Sequence, residues 1–463
     1  MSTIAREPVT EPEFDPNRDR YWDPRDLEAE LQRTFHICHD CRMCVTYCGS
    51  FPILFDHIDR EVDAGRAQSV ETLGADVVRQ VSDHCWQCKL CYIKCPYTPD
   101  EGARELLDFP RLMAREKAQR ARREGVPLVD RILGEPRLIG WLGSGMAAAP
   151  TNFVNASRLA RRAMEATAGI SADFPLPPLA AKPFARWFRA HQPAPGAGVR
   201  GQVVLFATCY GEYNFPEVAQ AAVQVLEHNG YEVIAPEEID CCGMPNLDGG
   251  DVDAARAKMR RNVDRLLPHV RDGALVVTPG PTCGYTMKKE WPVYLGTADA
   301  QEVAGATRDL MEFLDGLRKA GELEEDFESG LGVVAYHAAC HLRAQKVATP
   351  GARLLAALPD TEVRIVERCS AVDGTWGMKA EYYEEGVRYA KRLARALEPE
   401  DEPPDVIVTD CSLAGQRILE QNRRAALHPI VALARAYGLD GGGARSSSPV
   451  EHQEAEDETG RRE

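Results

Sequence analysis

The stretch CHDCRMCVTYC at residues 38–48 spaces four cysteines as C-x2-C-x2-C-x3-C, and CWQCKLCYIKCP at residues 85–96 repeats the spacing with a trailing proline. Thiolates in two such runs are the ligand pattern of a protein with two cubane 4Fe-4S clusters. Structural zinc would use two C-x2-C pairs instead of two four-cysteine runs. Because the fourth cysteine of each run serves the other cluster, one set is expected to be Cys38, Cys41, Cys44 and Cys95. The other is Cys85, Cys88, Cys91 and Cys48. Clusters interleaved this way lie close together, and closeness lets an electron pass between them. Gly49 stands where the second run has Pro96, a position on which ligation does not depend.

Seven further cysteines follow a second rule. Cys209, the pair Cys241 and Cys242, and Cys283 each lie a few residues past an apolar, β-branched stretch, and so do Cys340, Cys369 and Cys411. From 209 to 340 is 131 residues, from 241 to 369 is 128 and from 283 to 411 is 128, so the half from 201 to 295 is duplicated in the half from 331 to 425. In that register Ser370 falls on Cys242 and Ala371 on Gly243. Ligand sites of open α/β sheets gather outside the carboxyl ends of the strands, so strands that end in cysteine can bring four thiols to one place in the first copy and three in the second as metal ligands, with buried core cysteines as the alternative. An iron-sulfur cluster and zinc both suit the four-thiol set.

The elements that must position these residues are legible around them. The strands expected are QVVLFA, YEVIAP, ALVVTP, GVVAYH, EVRIVE and DVIVTD, alternating with helices such as PEVAQAAVQVLEHNG, whose Val218, Ala222, Val225 and Leu226 share one face. The 36 residues between the two four-cysteine runs read as helical. The fold class is therefore α+β and multidomain: an α-helical ferredoxin domain followed by a duplicated α/β cysteine-rich domain. The expected division is a polar arm at 1–24, the ferredoxin domain at 25–110 and a helical, interfacial connector at 111–200. The first cysteine-rich repeat follows at 201–295, a helical connector at 296–330, the second repeat at 331–438 and a low-complexity, disordered tail at 439–463.

Composition agrees with this picture. The chain has 463 residues, 44% of them hydrophobic and 27% charged, which suits a globular protein. Fifteen cysteines with no apolar signal-peptide core at the start point to metal or redox use in a cytoplasmic setting, not to exported disulfides. A net charge of −16 argues against a nucleic-acid partner. From 141 to 200, however, the balance is +5, from seven basic residues against Glu165 and Asp173.

With the two four-cysteine runs, then TCYGEYN, DCCGMPNLDGG, GPTCGYTMKKEWP, AACHLRAQ, RCSAVDGTWGMK and TDCSLAGQRI, the chain resembles the iron-sulfur oxidoreductases that carry the duplicated CCG cysteine-rich domain. These include the CCG-bearing polypeptide of heterodisulfide reductase and the iron-sulfur subunits of glycolate oxidase and of anaerobic glycerol-3-phosphate dehydrogenase. The last is nearest in layout, since its ferredoxin runs also precede the repeats. The resemblance covers residues 26–438. It implies one subunit of a multi-subunit dehydrogenase or reductase, taking electrons from a flavoprotein or other redox partner through two 4Fe-4S clusters to a further cluster, or zinc, at the first CCG site, and on to a quinone-like acceptor. Thiol-disulfide reduction at the CCG cluster and a non-catalytic redox sensor are the alternatives. In the fullest CCG pattern the third cysteine opens a C-x2-C, whereas Cys283 is followed by GYT and Cys411 by SLA.

GLGVVA at 330–335 fits a dinucleotide fingerprint on paper but precedes its strand, so no FAD or NAD site is expected. His337 and His341 flank Cys340 and are read as loop histidines bonded to backbone, with proton donation or ligation as the sharper alternative; His428 is read as capping the last helix. The segment 138–156 is free of charge for 19 residues but too rich in glycine and asparagine to span a membrane. With the basic residues after it, the stretch 138–200 is a candidate for peripheral contact with the inner face of an anionic membrane.

Overall fold

The computed structural model describes residues 4–372 and 374–439; from residue 440 onward the expected tail lies outside the described residues. Every expected β-branched run forms a strand, and one further strand joins them. Strands β1 (Gln202–Leu205), β2 (Glu232–Ile234), β3 (Leu275–Thr278) and β4 (Thr307–Asp309) form a parallel sheet in the order β2-β1-β3-β4. Strands β5 (Gly332–His337), β6 (Thr361–Val366) and β7 (Val406–Thr409) form a second in the order β6-β5-β7. The 2-1-3 order thus recurs as 6-5-7, the topological form of the duplication. β4 is the additional strand, with no counterpart in the second sheet and no apolar run in its sequence. Its three residues Thr-Arg-Asp bury only Thr307 and Asp309, and Asp309 immediately caps the helix Leu310–Ala320 through a capping box with Glu312.

The two repeats share one core. Val218, Ala222, Val225 and Leu226, the predicted face of helix Pro216–His228, are all buried in a cluster with Ile430 and Leu433 of helix Pro429–Ala436. His428 joins the halves: its Nδ1 accepts from the Ile430 amide at 3.1 Å, capping that last helix, and its Nε2 donates to the Pro279 carbonyl at 2.9 Å just beyond β3. The acceptor bond at Nδ1 requires the neutral ring, and burial pushes the His428 pKa down to about 4. Its contribution to stability is therefore complete above the unfolded value of about 6.5 and is eroded as pH falls towards 4. Asp309 and Asp410, raised by burial to about 6 and 7, act in the opposite sense over the same range. The comparison of interest is thus wild type against His428→Asn, which keeps a capping side chain but cannot titrate. Denaturant titrations at pH 4 to 7 should show the variant losing less stability on acidification, by on the order of 3 kcal/mol.

The amino-terminal domain is built from helices. Asp23 caps helix Pro24–Cys41, with proline at its first position, and Arg42 in the left-handed region (φ 53°) ends it, so that Cys38 and Cys41 occupy its last turn. Between the two runs lie helices Ser50–Asp63 and Ala75–Asp83, joined by an irregular stretch. Helix Phe109–Glu124 continues the domain past residue 110, burying Phe109, Leu112 and Met113 in the same core as Phe35, Phe51 and Leu54. The end of the arm is packed: Tyr21 is buried, and Arg115 and Gln119 donate to its carbonyl at 2.8 and 2.6 Å. Residue Gly332 opens β5 with φ 66° and lies against Asp405, so GLGVVA begins a strand and does not link a strand to a helix.

Candidate iron-sulfur and cysteine-rich sites

The two predicted ligand sets of the ferredoxin runs line two neighbouring cavities. Cys38, Cys41, Cys44 and Cys95 face one, walled by Ile37, Met43, Phe55 and Leu107. Cys48, Cys85, Cys88 and Cys91 face the other, with Tyr47, Trp86 and Pro110. Cys91, Phe51 and Phe109 border both, so a single layer of side chains separates the cavities. Helix Pro24–Cys41 ends before Cys48, and Cys95 follows helix Leu90–Lys94 in an extended conformation, so neither fourth cysteine lies within a helix of its run.

Burial, with the neighbouring thiols, raises the pKa values of Cys38, Cys44, Cys48, Cys88, Cys91 and Cys95. The pKa of Cys38 is raised by burial first, then by Cys95, Cys44 and Cys41; that of Cys91 is raised by burial and then by Cys88 and Cys85. Four thiols around an apolar cavity, half-buried at the first and buried at the second, fit iron with inorganic sulfide, whose positive iron would compensate the thiolate charge and release the protons. Among the described residues no three His, Cys, Asp or Glu side chains converge closely enough to hold one metal ion directly.

In the first cysteine-rich repeat the thiols form a chain. Cys209, Cys241, Cys242 and Cys283 lie within hydrogen-bond reach of one another in that order; the contact with Cys241 and then burial raise the Cys209 pKa well above normal, and at Cys242 the lowering contact with Cys241 is outweighed by Cys283 and burial. Trp291 donates from Nε1 to the Cys242 carbonyl at 2.9 Å, and Asn262 holds the Cys241 carbonyl at 3.0 Å. Gly243 has φ 97°, with Met259 and the Ala255 carbonyl where a Cβ would go, and its amide faces Cys241. At the equivalent place in the second repeat, Ala371 keeps a left-handed φ of 50° and its amide donates to Cys369 Sγ at 3.2 Å. The backbone of the CCG turn is therefore retained where its second cysteine and its glycine have been replaced, at a cost of about 1–2 kcal/mol for the alanine.

The second repeat distributes its thiols between its neighbours. Cys340 and Cys369 lie beside the second ferredoxin cavity, where they raise the Cys88 pKa next after burial, and Cys369 packs against the core that contains Cys48, Cys85 and Trp86. Cys411 lies towards the first repeat, where it is felt at Cys283 and Tyr210. The two histidines next to Cys340 are buried, and each is bonded at both ring nitrogens. His337 donates to the Arg368 carbonyl at 3.1 Å and accepts from Thr409 at 2.9 Å; His341 donates to the Gln87 carbonyl at 3.0 Å and accepts from Thr282 at 3.0 Å. Their backbone-bonded reading is the one observed, with His341 joining both repeats to the Cys85–Cys88 loop.

Sequence reasoning passed over Gln87, Lys89 and Glu290, which are buried beside that same loop. Their signal was available in the comparison of the two runs, where Asp40 and Arg42 stand at the positions of Gln87 and Lys89.

Comparison with known proteins decides the domain content. Residues 37–100 match the model of a 4Fe-4S dicluster domain, and residues 203–288 and 334–413 each match that of a cysteine-rich domain, CCG. The chain carries a 4Fe-4S dicluster-type domain followed by two CCG domain segments. It is homologous to one subunit, designated C, of the anaerobic glycerol-3-phosphate dehydrogenase of Escherichia coli (strain K12), 29% identical over 292 residues that cover 62% of this chain and 71% of the relative. It is also homologous to lactate utilization protein A of Bacillus thuringiensis (strain Al Hakam), 29% identical over 187 residues covering 38% of this chain and 75% of the relative. Among the described residues, no helix is long and apolar enough to cross a membrane.

Proposed function

We propose that the protein is the electron-transferring subunit of a dehydrogenase, receiving electrons from a flavoprotein partner and passing them to a quinone-like acceptor. Cys38, Cys41, Cys44 and Cys95 would hold one 4Fe-4S cluster and Cys48, Cys85, Cys88 and Cys91 the other, with Cys209, Cys241, Cys242 and Cys283 holding a further metal centre. Bound clusters supply one-electron carriers. The chain's own residues order them: Cys91 borders both ferredoxin cavities, and Cys340 and Cys369 stand against the second. That contact between ferredoxin and CCG thiols is the observation that carries the reading. Its test is iron, sulfide and zinc analysis of anaerobically prepared protein, paramagnetic resonance of the reduced form, and quinone reduction in the presence of a flavin-dependent donor. Disulfide turnover abolished by Cys209→Ser while quinone reduction persists would favour the thiol-disulfide alternative, and a reduced protein without cluster signals would leave a sensor or scaffold.

A quinone acceptor places the protein at a bilayer. Leu138, Ile139, Trp141, Leu142, Met146, Phe153, Val154 and Leu159 are all exposed within 22 residues, on helices Pro136–Gly143, Ala148–Ala156 and Arg158–Ala168 and, for Met146, the short turn Gly145–Ala147. No acidic residue occurs from 136 to 164, while Arg158 and Arg162 are exposed at its edge, in a chain whose net charge is −16. An apolar face rimmed by arginine suits the headgroup region of an anionic membrane. Trp141→Glu combined with Met146→Glu is expected to weaken cosedimentation with phosphatidylglycerol-containing vesicles more than about tenfold. Binding unaffected by the change would dismiss this face as the contact.

A further inference from the structure

The two four-cysteine runs are near copies in sequence, but their surroundings differ in charge. The residue after the second cysteine is Arg42 in one and Lys89 in the other, and both adopt the left-handed conformation, φ 53° and 62°. Arg42 turns outward, its side chain 43% exposed and bonded to Asp59 at 2.8 Å. Lys89 turns inward, with its side chain 5% exposed, and lines the second cavity. We propose that Lys89 gives electron flow in the ferredoxin domain its direction, its buried ammonium holding the group carried by Cys48, Cys85, Cys88 and Cys91 at a higher reduction potential than the group carried by Cys38, Cys41, Cys44 and Cys95.

Reduction adds negative charge to a cluster, so a cation in its wall stabilises the reduced form, and does so more strongly where little water screens it. Lys89 Nζ is anchored by Gln87 Oε1 at 2.9 Å, and the other end of the same Gln87 side chain donates from Nε2 to Cys85 Sγ at 3.4 Å. Hydrogen bonds to ligand sulfur act in the same direction as the cation. A second buried lysine, Lys117, donates to the Cys85 carbonyl at 3.3 Å. The balancing anion stands behind Lys89: Glu290 Oε1 is 3.4 Å from Nζ, and Arg111 links Glu290 to Asp108 at 3.5 and 3.7 Å. These four charges sum to zero, so their order decides the field, and only Lys89 among them lines the cavity. At the first cavity the cation felt by Cys38 is Arg33, which is forked onto Glu30 at 2.8 and 2.6 Å and does not line the wall. The higher potential then lies at the cavity against which Cys340 and Cys369 pack, so that electrons settle on the side facing the CCG domain.

This inference rests on the reading of both runs as cluster ligands. Its test is a redox titration, followed by paramagnetic resonance, of the full-length, anaerobically loaded protein and of Lys89→Met and Glu290→Gln. Lys89→Met is expected to lower the midpoint potential of one of the two cluster signals, and Glu290→Gln to raise the same one, with the other signal unmoved in both. A purely structural role for Lys89 would release iron or shift both signals together. If Lys89→Met does not retain iron, the upward shift in Glu290→Gln decides the matter. Two signals present but unmoved by either change would overturn this inference alone; wild-type protein without cluster signals would overturn the ligand reading and this inference with it.

Discussion

Cys38→Ala and Cys95→Ala are expected to remove the same half of the ferredoxin-domain iron, and the double variant no more than either single one. The two residues are 57 positions apart by sequence number and belong to different runs, yet their thiols face one cavity. A cubane held by three thiolates in place of four loses a covalent anchor and is exposed to exchange. Cys38→Ala combined with Cys48→Ala, two cysteines of one run, should instead remove both halves, because Cys48 lies in the other cavity. Either cluster lost interrupts the path, so electron transfer through the chain should fall to background in every variant. Iron analysis with paramagnetic resonance checks the pattern. If Cys38→Ala with Cys95→Ala lost twice the iron of each single change, the interleaved assignment would be wrong.

The second large effect is expected where the ferredoxin domain meets the second CCG repeat. Trp86, directly after Cys85 and 1% exposed, has its ring 5.2 Å from Trp376 and 4.6 Å, edge to face, from Tyr389. Trp376 in turn donates to the Asp83 carbonyl at 2.9 Å and stacks on Tyr382. Trp86→Ala should cost about 3–5 kcal/mol, the usual loss for emptying a buried aromatic site. Urea denaturation followed by circular dichroism reads that loss as a lower midpoint. The double variant with Trp376→Ala should be less destabilised than the sum of the singles by about 0.5–1.5 kcal/mol, the worth of an aromatic pair. Full additivity would mean that the two tryptophans do not couple the domains.

The buried charges around Lys89 show where one-dimensional reading stops. A lysine between two cysteines looks like a solvated side chain, and its equivalent Arg42 is one. Lys89 is enclosed because Glu290, about two hundred residues on, and Tyr285, whose ring lies 5.7 Å from Nζ, come from a helical segment that begins at Pro281 and carries Cys283. The strand β4 was missed for a related reason: Thr307–Asp309 is strand because β3 offers it a parallel edge, not because of its own residues.

What the chain's order of residues determined is whatever depends on short spacing and repetition. The cysteine intervals, the offset between the two halves and the alternation of β-branched runs with amphipathic helices led to a helical ferredoxin domain and a duplicated α/β domain, since ligand reach and hydrophobic periodicity are local properties. The tertiary structure alone decided which elements face one another. It set Cys340 and Cys369 against the ferredoxin cavity and Cys411 towards the first repeat, and it turned one of two equivalent cations inward. Those outcomes follow from how separately formed surfaces pack, and packing is a relation between distant segments that no single stretch of sequence contains.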